Sequence, residues 1–195
     1  MKLYGTLISP FTRKAMVIAH ELGLKLELLP RPADPEAFRR INPLGKVPAL
    51  ALNDGSVLFD SPVICEYLNQ LGGGKFFPGM SIWRQNTGRW KAAVLQALGD
   101  GIADAAVARV VESRQAEPNA DQIAHHMRAV EAGLDALENI KFADDPTIGE
   151  ISVACALGYL DFRLPDLDWK ASRPKLAGWY ARFCEYPSMK ATAPA

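Results

Sequence analysis

Val47-Pro48-Ala49-Leu50-Ala51-Leu52-Asn53-Asp54-Gly55-Ser56-Val57-Leu58-Phe59-Asp60-Ser61-Pro62 is the stretch on which the fold turns. Two apolar runs, Val47 to Leu52 and Ser56 to Asp60, flank Asn53-Asp54-Gly55. Asp-Gly at that spacing signals a hairpin, because the tight turn needs residues that tolerate positive φ. Ser61-Pro62 then opens a helix that runs to Leu71, with Ile64, Tyr67, Leu68 and Leu71 on one stripe.

Upstream, Lys2 to Ile8 is short, apolar and bounded by Ser9-Pro10, which fits a buried strand. Ser9 is a good N-cap and Pro10 a good first helical residue. The helix carries Ala15, Val17, Ile18, Ala19 and Leu22, and Gly23 stops it. Leu24 to Leu29 alternates as a half-buried strand does. Strand, helix and strand of this size form a right-handed parallel βαβ unit. Pro35 to Ile41 is a short helix candidate, ending at Asn42-Pro43. The order is βαβ, short α, ββ, α, the order of a thioredoxin-like module.

Downstream, Gly72-Gly73-Gly74 ends the helix and marks a linker. From Trp83 onward the pattern is helical. A long helix, Trp83 to Val111, is expected to bury Trp90, Val94, Ala97, Leu98, Ile102 and Ala105 on one face. Ala120 to Asn139 places Ile123, Met127, Val130, Leu134 and Leu137 on an amphipathic stripe. Thr147 to Glu150 matches a capping box, and the apolar run Ile151 to Leu157 predicts the central buried helix of the second domain. A last helix carries Leu176, Trp179, Tyr180 and Phe183. The expected architecture is α/β plus all-α: a thioredoxin-like N-terminal domain over residues 1–75, then an all-helical C-terminal domain over residues 84–195.

Composition narrows the function classes. With 22 Lys and Arg against 22 Asp and Glu, the formal net charge is +0, so no basic nucleic-acid footprint is present. No apolar run approaches the roughly 18 residues of a membrane span, and the N-terminus lacks the apolar core of a signal peptide. The 3 cysteines, Cys65, Cys155 and Cys184, form no CxxC pair and read as core thiols in a reducing, cytoplasmic compartment. His20, His125 and His126 lack metal-ligand spacing, and no metal is expected.

Four positions carry candidate chemistry. A thioredoxin-like module binds extended peptides through a backbone edge beside a proline, here Val47-Pro48. If that bond is cis, Val47 turns its N–H and C=O outward to pair with a peptide; if it is trans, Pro48 simply starts a strand. Asp60-Ser61 sits where a strand meets a helix N-terminus, a site suited to a carboxylate, with Asp60 able to take an ammonium; equally, Ser61 is a cap and Asp60 a first-turn charge. Ser9 heads the first helix, where a bound thiolate gains from the helix end and the hydroxyl; the alternative is a plain N-cap. Lowering a thiol pKa by about 2 units takes about 2.7 kcal/mol, the order of one charged hydrogen bond plus the dipole. No cysteine occupies this turn, so redox chemistry by the protein's own thiol is disfavoured. Asp100 and Asp104 share a helix face at i, i+4, which from spacing alone reads as solvated.

Ser9-Pro10-Phe11-Thr12-Arg13-Lys14, Asn42-Pro43-Leu44-Gly45-Lys46-Val47-Pro48, Asp60-Ser61-Pro62 with Glu66-Tyr67-Leu68, the Thr147 to Glu150 cap and Tyr186-Pro187-Ser188 together resemble the cytosolic glutathione S-transferase superfamily. The resemblance covers essentially the whole chain. The runs from Leu98 to Asp104 and from Ala154 to Arg163 look most like its bacterial YibF-like group.

The resemblance implies a cis Pro48, with Val47 pairing the cysteinyl backbone of glutathione. It implies that Asp60 and Ser61 hold the γ-glutamyl end, that Lys46 neighbours the glycine end and that Ser9 faces the sulfur. The family usually carries Glu where this chain has Asp60, so a water is expected to bridge to the ammonium. Arg39 and Arg40 are candidates for the glycine carboxylate, and the resemblance places the long helix at the cleft and dimer interface, where Asp100 would reach a neighbouring subunit's ligand. The implied activity is conjugation of glutathione, a co-substrate, to a small electrophile by a homodimer of detoxification type, with no resident cofactor. The alternative is a non-catalytic interaction protein on the same fold.

Overall fold

The computed structural model describes residues 1–79 and 87–194. The first segment runs β1 (Lys2–Tyr4), α1 (Pro10–Glu21), β2 (Glu27–Leu29), α2 (Pro35–Arg39), β3 (Ala49–Ala51), β4 (Val57–Leu58) and α3 (Ser61–Leu71). The sheet order is β2-β1-β3-β4, with β1 parallel to β2 and the other pairs antiparallel. This is the expected thioredoxin-like module.

Its strands are shorter than their apolar runs. The run to Ile8 leaves the sheet after Tyr4, because the chain folds into a turn closed by Ser9 N–H donating to Thr6 O at 3.0 Å. Gly5 sits in that exit, and a Cβ there would run into the Thr12 side chain, so the turn can lie directly on the first turn of α1. With β1 so short, β2 pairs only from Glu27, and Leu24 and Leu26 pack against the core without joining the ladder.

The second segment is helical: α4 (Thr87–Glu112), α5 (Ala120–Glu138), α6 (Ile148–Arg163), α7 (Trp169–Ser172), α8 (Pro174–Phe183) and α9 (Pro187–Ala191). Trp83 and position 84, where the long helix and second domain were expected to begin, lie outside the described residues. The capping box at Thr147 forms as expected: Thr147 N–H donates to Glu150 Oε2 at 2.9 Å and Gly149 N–H to Thr147 Oγ1 at 3.1 Å. Behind it α6 is buried continuously from Ile148 to Leu160, which makes it the centre of the domain. The Val130, Leu134 and Leu137 stripe of α5 and the Leu176, Trp179, Tyr180 and Phe183 face of α8 are also buried.

The expected face of α4 is corrected in its first half, while Ile102 and Ala105 are buried as expected. Trp90 and Val94 are 67% and 68% exposed, whereas Ala92, Leu95, Gly99, Ala103 and Ala106 are buried. The small residues meet α6 because the two backbones approach closely: a Cβ on Gly99 would fall 2.7 Å from the Val153 nitrogen. Trp90 and Val94 are left outside that contact.

The two segments are tied through α1. Arg13, 4% exposed, donates from Nη2 to Met189 O at 3.1 Å and thereby holds α9. From the next residue of the same helix, Lys14 Nζ reaches Asp100 of α4 at 2.6 and 2.7 Å. Lys14 is 1% exposed, so its charge is matched inside the protein.

Candidate functional site

The N-terminal ends of α1 and α3 and the loop before β3 face α4 and α6 across a cleft of about 770 Å³. Ser9, Lys46, Val47, Pro48, Asp60 and Ser61 all line it. Residues as far apart in sequence as Ser9 and Ser61 are thus brought to one place.

Each of these residues is placed by a local device. The Val47-Pro48 peptide bond is cis, which resolves the two readings of that proline, and Val47 stands ahead of the ladder that begins at Ala49. The loop leading to it is held by the Asn42 side chain. Its Nδ2 donates to Lys46 O at 2.6 Å, and its Oδ1 accepts from Leu44 N–H at 3.1 Å. Gly45 in the same loop has φ +65, which favours glycine. Ser9 caps α1 by accepting from Thr12 N–H at 3.3 Å, an interaction that leaves its hydroxyl proton free to donate. Asp60 is the N-cap of α3 but makes no side-chain capping bond, and it is exposed. Ser61 is 2% exposed at the first turn of that helix. The N-terminal N–H groups of α1 and α3 therefore supply positive ends in the same cleft.

Opposite them, α4 presents Asp100, Asp104, Val107, Val111 and Arg114, spaced by four, three, four and three along the chain. This is one helix face. Burial raises the Asp100 carboxyl above its ordinary range, against the pull of Lys14; Asp104 is raised by burial and then by the Asp100 charge. Asp100 is therefore neither simply solvated nor free: its carboxylate is committed to Lys14. Sequence reasoning missed Lys14, because a lysine in an amphipathic helix reads as exposed.

Arg39 and Arg40 lie outside the cleft lining, pairing with Glu36 at 2.9 Å and Asp34 at 3.9 Å on the surface. The cations that do line it are Arg31, Lys46, Arg114 and Arg163. Arg114, Arg163 and the nearby Tyr159 were not singled out from sequence, although the α4 spacing carried the signal for Arg114. Cys65 and Cys155 are buried, and burial pushes their thiols up to about 12 and about 11, which makes them inert. No cysteine lines the cleft among the described residues, nor does any cluster of His, Cys, Asp or Glu there form a metal-binding group. No described helix is long and apolar enough to cross a membrane.

Comparison with known proteins gives a consistent result. The family model for the glutathione S-transferase N-terminal domain matches residues 8–71, and that for the C-terminal domain matches residues 120–182. The uncharacterized GST-like protein YibF of Escherichia coli K12 is 34% identical over 186 residues, 90% of each chain. A glutathione transferase family member from Pseudomonas fluorescens Pf-5, solved with bound glutathione, superposes with a TM-score of 0.87 at 39% identity over 100% of this chain and 98% of its own. A glutathione S-transferase from Methylobacillus flagellatus KT, also solved with glutathione, gives a TM-score of 0.85 at 37% identity over 100% of this chain and 99% of its own.

Proposed function

The chain belongs to the glutathione S-transferase family, and from that premise we propose that it activates the glutathione thiolate and conjugates it to a small electrophile bound in the cleft. The observation that carries the reading is the convergence of a cis Val47-Pro48 bond with two serine-headed helix N-termini on one cavity. The glutathione held by the two bacterial relatives supports it.

In this reading Val47 pairs its backbone with the cysteinyl residue by β-addition. Ser61 and the N–H groups of α3 hold the γ-glutamyl carboxylate, and Asp60 takes the ammonium. Lys46, with Arg31 on the same wall, attends the glycine carboxylate. Ser9 donates its hydroxyl proton to the sulfur, and no resident cofactor is needed. The protein acts in the cytoplasm, where glutathione is held reduced.

Ser61→Ala is expected to weaken glutathione binding by about 1–3 kcal/mol, the cost of leaving a buried carboxylate short of a donor. Isothermal titration measures it, and unchanged affinity would place the site elsewhere.

The functional unit in this reading is a homodimer. Its support is the outward face of α4, where Trp90, Val94, Ala97 and Gly101 are all exposed at helical spacing, an apolar strip flanked by small residues. Light scattering on a sizing column should give twice 21.3 kDa. A 21.3 kDa particle at micromolar concentration would contradict it.

A further inference from the structure

The cleft is polarised along α4. Asp100 and Asp104 stand at one end of the lining face, Val107 and Val111 in the middle, and Arg114 at the other. Arg114 follows the last helical residue but still donates its N–H to Val111 O at 3.2 Å, so it continues the same winding. At 1.5 Å per residue, its backbone lies about 15 Å from that of Asp104. On the adjoining helix, Tyr159 and Arg163 are four residues apart and so share a face, and both line the same cavity.

The two arginines are uncommitted. Among the described residues neither guanidinium pairs with a carboxylate; Arg163 only rests over the Phe162 ring at 4.7 Å. Tyr159 lines the cavity, and its hydroxyl, unbonded to any described residue, is not sealed in the core but open to the cleft. A phenol open to a cleft can donate its proton to a bound anion. The Arg114 and Arg163 charges both act on this hydroxyl, which places all three groups in one neighbourhood.

We propose that Arg114, Arg163 and the Tyr159 hydroxyl form an anion subsite on the helical wall, and that the electrophile conjugated here carries a carboxylate which this subsite binds. The inference rests on the reading of the cleft as a glutathione site and adds the class of second substrate. Val107 and Val111 between the two ends, with the Phe11 ring that lines the same cavity, then take the short apolar part of the acceptor, between its reacting carbon and its carboxylate. The pattern also opposes the wrong orientation, since a carboxylate at the other end would meet Asp100 and Asp104. Both arginines lie at helix C-termini, where a cation is favoured by the dipole alone; that explanation predicts no effect on ligand choice.

The test needs no turnover. Isothermal titration compares glutathione, S-alkylglutathiones of two to five carbons, and their isosteres ending in carboxylate. The wild type should bind at least one carboxylate-ended member about 10-fold or more tighter than its methyl-ended isostere, as a charge-assisted contact requires. In the Arg114→Gln/Arg163→Gln variant the preference should fall below about 2-fold with glutathione affinity unchanged. Tyr159→Phe, which keeps the ring and the fold, should lose part of the preference, about 3-fold.

Turnover gives the second arm. Glutathione thiolate displaces chloride from 1-chloro-2,4-dinitrobenzene or from 4-chloro-3,5-dinitrobenzoate, the C–S bond forming as C–Cl breaks. The arginine variant should lose kcat/KM for the benzoate about 10-fold and keep it for the neutral arene. Intact glutathione binding with no carboxylate preference in the wild type, or a preference that survives the double variant, overturns the subsite alone. Failure of the wild type to bind glutathione overturns the subsite together with the glutathione reading.

Discussion

Asp100→Ala is expected to destabilise the folded chain by about 3–5 kcal/mol, the largest effect of any single substitution considered for it. Among the described residues, the change removes the only carboxylate within bonding distance of the Lys14 ammonium, which is 1% exposed. An unpaired buried charge costs several kcal/mol, far more than the pair itself contributes. Lys14→Met should cost less, because Asp100 retains about a fifth of its exposure and can take up a proton. The double variant Lys14→Met/Asp100→Leu should return to within about 1–2 kcal/mol of wild type, since an apolar replacement of a buried pair is often close to neutral. Urea unfolding of the four proteins measures this. An Asp100→Ala protein within about 1 kcal/mol of wild type would show that the pair does not hold the two segments together.

The same pair carries a pH dependence whose sign is fixed. Burial raises the folded-state carboxyl of Asp100 above its unfolded value. Between those two values the folded state binds the extra proton, so this group's contribution falls as pH rises through the window and is level above it. Lys14 opposes the shift, so Lys14→Met should widen the window upward. Its deficit relative to wild type should therefore be smallest in acid and grow toward neutrality.

Ser9→Ala is expected to slow conjugation about 10- to 100-fold near pH 6.5, corresponding to about 1.4–2.7 kcal/mol of lost thiolate and transition-state stabilisation. The loss should be smaller near pH 8.5, where the thiol ionises without help. Glutathione affinity should change little, since the contacts assigned to Val47, Asp60 and Ser61 remain. The geometry suits this role: the Ser9 oxygen already accepts from Thr12 N–H at 3.3 Å, so its proton is the group left to offer a ligand. Ser9→Cys sharpens the test. A thiol at a helix N-terminus has a lowered pKa, and that variant should form a mixed disulfide with oxidised glutathione while losing conjugation. If Ser9→Ala keeps its full rate at both pH values, Ser9 is a cap alone. Thr6, which lines the cleft, or the helix end would then activate the sulfur; Thr12 is fully buried and is not available for it.

Much of the candidate site was legible because its parts are local. Ser9-Pro10 and Asp60-Ser61-Pro62 announce helix starts within a few residues, and the side chains that would meet a ligand are the ones that begin the helices. Arg39 and Arg40 misled for the complementary reason. Their charges suit a carboxylate, but α2 turns them to solvent beside Asp34 and Glu36, and no local signal records that direction.

By itself the sequence determined the βαβ, α, ββ, α order, the Asp54-Gly55 hairpin, the Thr147 capping box and the buried run of α6, because caps, turns and hydrophobic periodicity act between residues close in the chain. Only the tertiary structure decided the isomer of Val47-Pro48 and the face of α4 that is buried. It alone brought Lys14 to Asp100 across 86 positions and gathered Arg114, Tyr159 and Arg163 on one wall. The physical reason is the close approach of α4 to α6 at Gly99, which favours small side chains at that point and turns Trp90 and Val94 outward. Once that face is chosen, the helix rotation is set, and with it which charges are sealed between the segments and which line the cleft.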